Sequence, residues 1–156
     1  MFDIVLFEPE IPANTGNIIR LCANAGARLH LIEPLGFELE DKKLRRAGLD
    51  YHEWASVAVY RSFDDFIQQA GPKRLFAFST KGQTLFSEVA FEPGDAFLFG
   101  PESRGLPASI LALLGAQCCL YLPMQPESRS LNLSNTVAIA LYEAWRQQSF
   151  AGARIK

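Results

Sequence analysis

The sequence predicts an α/β fold, a parallel sheet with helices on both faces. Three observations predict it. Short apolar runs alternate with helical patterns along the chain, and such alternation builds crossover units whose strands run parallel. The runs are apolar at successive positions rather than at every second one, so both faces of each strand must be covered. Polar stretches containing Gly, Pro, Ser and Asn follow several runs, where the ligand of a doubly wound sheet sits. The chain has 156 residues, which favours one domain, residues 1–156, around one core.

Residues 2–7 form a compact apolar run with Val and Ile and read as a buried strand. Glu8-Pro-Glu-Ile-Pro12 cannot continue it. Asn14, Thr15 and Asn17 offer caps to a helix through Ile18, Ile19, Leu21, Cys22 and Ala25, and Gly26 stops it. Residues 29–32 are a second strand, ended by Glu33-Pro34. Residues 41–47 read as a short basic helix closed by Gly48, and residues 57–60 as a strand. Ser62 caps a helix to Ala70 that Gly71-Pro72 stops. Residues 74–79 are a strand before the Thr80-Lys-Gly82 turn. Glu92-Pro-Gly-Asp95 turns the chain into an apolar strand over 96–100. Pro107 suits the first turn of a helix to Leu114, and residues 117–122 are the last strand. In the final helix Leu133, Val137, Leu141 and Ala144 recur at helical spacing, with Ala140 beside them. The tail from Ala151 has little to bury.

Hydrophobic residues make up 49% and charged residues 21%, an ordinary globular composition. The apolar runs are too short to span a bilayer, and no basic segment precedes an apolar stretch at the start. The reading is a cytoplasmic protein with no membrane partner. Three cysteines without C-x-x-C spacing, and only His30 and His52, argue against a disulfide framework and against a metal site. The net charge is −2 and the pI about 5.7. Neither is a nucleic-acid signature, so an RNA partner has to be held by a local basic patch.

Four stretches follow strands and can meet at one site: 8–17, 79–83, 100–106 and 122–132. The first is not a dinucleotide loop, because EPEIPANTGN lacks G-x-G-x-x-G. That absence also weighs against a nicotinamide or flavin enzyme. In 100–106, Gly100 and Gly105 let backbone close around a ligand while Glu102 fixes geometry; an ordinary connection with Glu102 in solvent reads equally well. Before the last helix Ser128, Ser130, Asn132, Ser134 and Asn135 crowd the junction, more polar groups than one cap uses. A helix start beside a strand end suits a polar ligand. Lys42, Lys43, Arg45 and Arg46, with Arg20 and Arg129, either face solvent or form a phosphate-binding surface.

Three motifs together resemble a known family. They are Asn14-Thr-Gly16-Asn17-Ile-Ile-Arg20, Leu98-Phe-Gly100-Pro-Glu102-Ser-Arg-Gly105-Leu106, and Leu122-Pro-Met124 running to Ser130-Leu-Asn132-Leu-Ser134. The chain resembles the SPOUT-superfamily RNA 2′-O-methyltransferases, and within them the small enzymes of the tRNA wobble nucleotide. The stretches 8–12, 44–51 and 142–146 share the likeness. The resemblance implies a SPOUT-type fold with a C-terminal trefoil knot and a homodimer. It implies an S-adenosylmethionine pocket involving Phe78, Ser79, Gly100, Leu122, Met124, Ser130 and Leu131, and no metal. The substrate it implies is the anticodon stem-loop of a tRNA, of leucine tRNAs in particular.

The resemblance assigns activation of the ribose hydroxyl to Arg20, with Asn14, Glu102, Asn132 and Tyr142 orienting the site. A guanidinium keeps its proton, so Arg20 is expected to hold phosphate and stabilise the developing oxyanion. Lys42, Lys43, Arg45, Arg46 and Arg129 are the expected RNA contacts, and Tyr51, Trp54 and Tyr142 are candidates for base stacking. The competing readings are a 2′-O-methyltransferase of another RNA and a non-catalytic RNA-binding factor. Intact Arg20, Glu102 and Asn132 disfavour the second.

Overall fold

The computed structural model describes residues 1–40, 44, 50–54 and 56–156. Lys42, Lys43, Arg45 and Arg46 lie outside them, as does the rest of the basic helix expected over 41–47 apart from Leu44. Among the described residues the strands are β1 (Asp3–Phe7), β2 (Arg28–Ile32), β3 (Val57–Tyr60), β4 (Leu75–Phe78), β5 (Thr84–Leu85), β6 (Ala96–Phe99) and β7 (Cys119–Tyr121). The helices are α1 (Pro12–Ala25), α2 (Tyr51–Trp54), α3 (Phe63–Ala70), α4 (Ala108–Leu114) and α5 (Leu133–Gln147). The strands form one sheet in the order β3-β2-β1-β6-β4-β7-β5, and every pairing is parallel.

Side-chain alternation divides the strands between two cores. Ile4, Leu6, Leu29, Leu31, Phe76, Phe78, Phe97 and Phe99 share one face with Ile18, Ile19 and Cys22 of α1 and Val137, Ala140, Leu141 and Ala144 of α5. Val5, Phe7, Ile32, Leu75, Ala77, Ala96 and Leu98 share the other with Phe66 of α3 and Ile110 of α4. Each fully buried aliphatic or aromatic side chain contributes about 1.5–3 kcal/mol relative to exposure. The continuously apolar strands therefore require helices above and below. α5 packs on α1, which brings the loop before α5 against the loop before α1.

Gly26 and Gly71 end α1 and α3 in the left-handed region, at φ 69° and 52°. Ser62 caps α3 by accepting from the Asp65 N–H, and the caps offered before α5 resolve to Asn132. The start of α1 differs from expectation. The helix begins at Pro12, its N-cap Ile11 has no side-chain cap, and Asn14 and Thr15 are buried inside it. The capping oxygens come from Glu102, on a distant loop. Four strands, β1, β4, β6 and β7, are one to three residues shorter than expected. Gly100 falls outside β6, and residues 116–118 form a short 3₁₀ turn before β7. Two-residue β5 carries no periodic signal and was not foreseen.

Candidate active site

A cleft of about 490 Å³ opens beyond the carboxyl ends of β4, β6 and β7, within the range of small-molecule sites. All four stretches that follow strands contribute to it. Phe78, Ser79, Gly100, Leu122, Met124, Ser130 and Leu131 line it, as do Asn14, Glu102 and Asn132. Thr80, Lys81, Ser103 and Arg104, which belong to the same stretches, also line it, as does Thr136, which lies beyond them in α5.

The walls are held by a chain of polar bonds between loops. Glu102 Oε2 accepts from the Glu10 N–H at 2.7 Å. Its Oε1 accepts from the Ile11 N–H at 3.0 Å and from Asn14 Nδ2 at 3.3 Å. Glu102 is therefore not a solvent-facing residue of an ordinary connection. It supplies the anionic cap that the start of α1 lacks locally. Asn14 Oδ1 accepts from Asn132 Nδ2 at 3.0 Å, and Asn132 Oδ1 accepts from the N–H groups of Ser134 and Asn135. One relay thus runs from the 100–106 turn through α1 to the start of α5.

Glycine is required where that turn closes. A Cβ on Gly100 would lie 2.3 Å from the Leu106 nitrogen, and Gly105 sits at φ 67°. Glu8, at φ 48°, occupies a region that costs a residue with a side chain on the order of 1–3 kcal/mol, strain that clusters at ligand sites. Glu8 pairs with Arg104. Glu10 bonds to Ser103, whose hydroxyl and then backbone N–H hold its carboxyl below the usual value.

Other expected residues lie elsewhere. Arg20 is outside the lining of this cleft; its Nε donates to Glu53 Oε1 at 3.3 Å. Tyr142 is exposed on α5, with its ring edge-on to Trp145 at 5.5 Å. Arg129 is exposed on the loop before α5, next to the lining residue Ser130 but not itself in the lining. Trp54 packs against the core, which disfavours it as a stacking platform, and the Tyr51 side chain lies outside the described residues. Among the described residues, no three His, Cys, Asp or Glu side chains cluster as metal ligands would.

Residues 1–142 match the SpoU rRNA Methylase family. The chain belongs to that family. A relative in Saccharophagus degradans is 61% identical over 99% of this chain and 100% of its own, and is named tRNA (cytidine(34)-2′-O)-methyltransferase. A solved structure concerned with the 2-OH methylation of C/U34 on tRNA superposes with a TM-score of 0.88 at 47% identity, covering 96% of this chain and 97% of that one. An AdoMet-bound rRNA methyltransferase from Sinorhizobium meliloti superposes with a TM-score of 0.80 at 26% identity, covering 93% of this chain and 56% of that one. Every residue that lines the cleft falls within the matched residues 1–142.

Proposed function

We propose that this SpoU-family protein transfers a methyl group from S-adenosylmethionine to the ribose 2′-hydroxyl of the wobble nucleotide, C34 or U34, in the tRNA anticodon stem-loop. Leucine tRNAs are the proposed substrates. The observation that carries this reading is 61% identity over nearly the whole chain to a relative of that name, joined to a cleft whose lining falls within the family match. A reading with ribosomal RNA as substrate is less favoured, because the superposed rRNA enzyme is 26% identical to this chain, whereas relatives named for tRNA are 56% and 61% identical.

The residues present fit S-adenosylmethionine. Phe78, Leu122, Met124 and Leu131 form an apolar wall for a nucleoside and a methionine chain, and the 79–81, 100–105 and 122–132 segments bring main chain and serine hydroxyls to the same space. When bound, the cofactor supplies an electrophilic methyl group on sulfonium. Glu102, Asn14 and Asn132 hold the loops around it and fix the approach, so that much of the rate comes from positioning. Arg20 keeps its proton, binds phosphate and stabilises negative charge on the ribose oxygen.

Arg20 lies outside the cleft lining of its own chain. The proposed arrangement is a homodimer in which Arg20 serves the cleft of the second copy. Exposed Ile139 and Tyr142 on α5 support a partner surface there. The C-terminal trefoil knot belongs to the same reading. The path from β6 past β4 to β7, then back through 122–132 to α5 on α1, supports it. The whole chain is taken as one methyltransferase domain working in the cytoplasm, and no helix among the described residues is long and apolar enough to cross a membrane.

Arg20→Lys tests the mechanism, since it keeps the charge but loses the planar fork. Transfer to tRNA should fall on the order of 10²-fold, while calorimetric affinity for S-adenosylmethionine holds. Equal activity in the variant would remove Arg20 from the role given to it.

A further inference from the structure

Two loops at the cleft exchange carboxylates. Glu102, on the 100–106 turn, accepts from the N–H groups of Glu10 and Ile11. Glu10 answers in the opposite direction. Its Oε1 accepts from the Ser103 N–H at 2.9 Å and the Ser103 hydroxyl at 2.7 Å, and its Oε2 lies 3.0 Å from the same hydroxyl. Residue 10 and residues 102–103 therefore close a ring, with one loop's acceptor on the other loop's donor both ways. Glu8 with Arg104 ties the same two loops again.

The two halves of this ring differ. The Glu102 half continues inward to Asn14, whereas the Glu10 half lies at the rim. Glu10 is also anchored from behind. Gly36 donates to the Pro9 carbonyl at 2.9 Å, and a Cβ on Gly36 would stand 2.7 Å from the Glu10 Cα. The main chain at Glu10 is thus a fixed post, and Ser103 is tied to it. Residues 101–105 are a wall of the cleft, so the tie holds a wall rather than a distant surface. Exposed polar pairs contribute little to global stability, which points to a local purpose.

We propose that Glu10 and Ser103 are positioning residues that hold the 101–105 wall in its binding geometry and thereby set affinity for the methyl donor, without touching the reacting atoms. This rests on the reading of the cleft as the S-adenosylmethionine site. A glutamate carboxyl is ionised at neutral pH in any case, and Ser103 holds that of Glu10 lower still, so the acceptor is present across the working range.

The test compares wild type, Glu10→Ala, Glu10→Gln and Ser103→Ala by amide hydrogen exchange without ligand, calorimetry with S-adenosylmethionine, and steady-state transfer to tRNA. In Glu10→Ala, exchange at Ser103 should quicken and donor Kd and KM should rise roughly tenfold, as for one lost hydrogen bond to a charged group. At saturating donor, kcat should stay within about twofold, the pattern of lost uniform binding. Glu10→Gln keeps an acceptor oxygen and should recover most of the affinity. Ser103→Ala keeps the N–H and should shift Kd less, in the same direction. Unchanged exchange at Ser103 overturns the tie. Faster exchange with unchanged donor affinity overturns the positioning role, as does a fall in kcat with KM constant. A wild type that binds no donor defeats the functional reading instead, and Ser103 exchange still decides the tie.

Discussion

The polar network at the cleft and the one within β1, β2 and β3 are built from similar side chains but join different things. At the cleft, Glu102, Asn14 and Asn132 connect three loops from far-apart parts of the chain. Among the strands, Asp3 takes two bonds from Arg28, each 2.8 Å, and lies 2.6 Å from His30 Nε2, while His30 Nδ1 meets the Tyr60 hydroxyl at 2.9 Å. Phe66 stands edge-on to His30. Asp3 and Arg28 are register partners, so this network is part of the strand pairing itself. The cleft network sits where loops meet and can loosen with the sheet intact. The contrast suggests that the first serves ligand geometry and the second serves stability.

Gly100→Ala should separate the two most sharply. The added Cβ would meet backbone, not a flexible side chain, so the turn must move. Affinity for S-adenosylmethionine should fall on the order of 10²-fold, about 3 kcal/mol of binding, with a smaller change in melting temperature. Unchanged affinity would show that the turn does not shape the cleft.

Asp3→Ala should do the reverse. Removing the partner of buried His30 and of Arg28 should destabilise the fold by about 3 kcal/mol, read as a lower denaturant midpoint, with donor affinity of the folded protein unchanged. Burial alone would raise the Asp3 carboxyl, but the hydrogen bonds and charges of His30 and Arg28 hold it below its usual value. A depressed carboxyl contributes stability that is complete above its unfolded pKa of about 4 and is lost as pH falls through the folded value. Wild-type stability should therefore drop below about pH 4 more steeply than that of Asp3→Ala.

Asn132→Ala touches both functions and should have the smallest effect on folding. Losing the cap of α5 costs about 1 kcal/mol. Because the same side chain holds Asn14, donor affinity should fall by more than that cost implies. Equal losses in stability and affinity would mean that the relay adds nothing beyond capping.

The comparison also explains what was legible in the sequence. α5 could be read from Val137, Leu141 and Ala144 and from Asn132 at its start, because periodicity and capping are local. The parallel sheet followed from strands apolar on both faces. The start of α1 was misjudged because its cap, Glu102, lies about ninety residues further along, where no local rule reaches. The meeting of the four stretches was legible from their place after strands, the individual cofactor residues came from motif resemblance, and the bonds that join the loops appear only once β4, β6 and β7 lie side by side. Glu10 and Ser103 gave no signal of their own, since a rim glutamate and a turn serine are ordinary surface residues. Arg20 was legible as a functional candidate, but its bond to Glu53 was not, because Glu53 belongs to another helix.

The central claim is best tested by incubating the protein with bulk tRNA and labelled S-adenosylmethionine, then mapping the labelled nucleotide. The account predicts a 2′-O-methyl group on the wobble ribose, C34 or U34, with leucine tRNAs as the proposed carriers. Label at another ribose or on a base, or cofactor binding without transfer to tRNA, would contradict it.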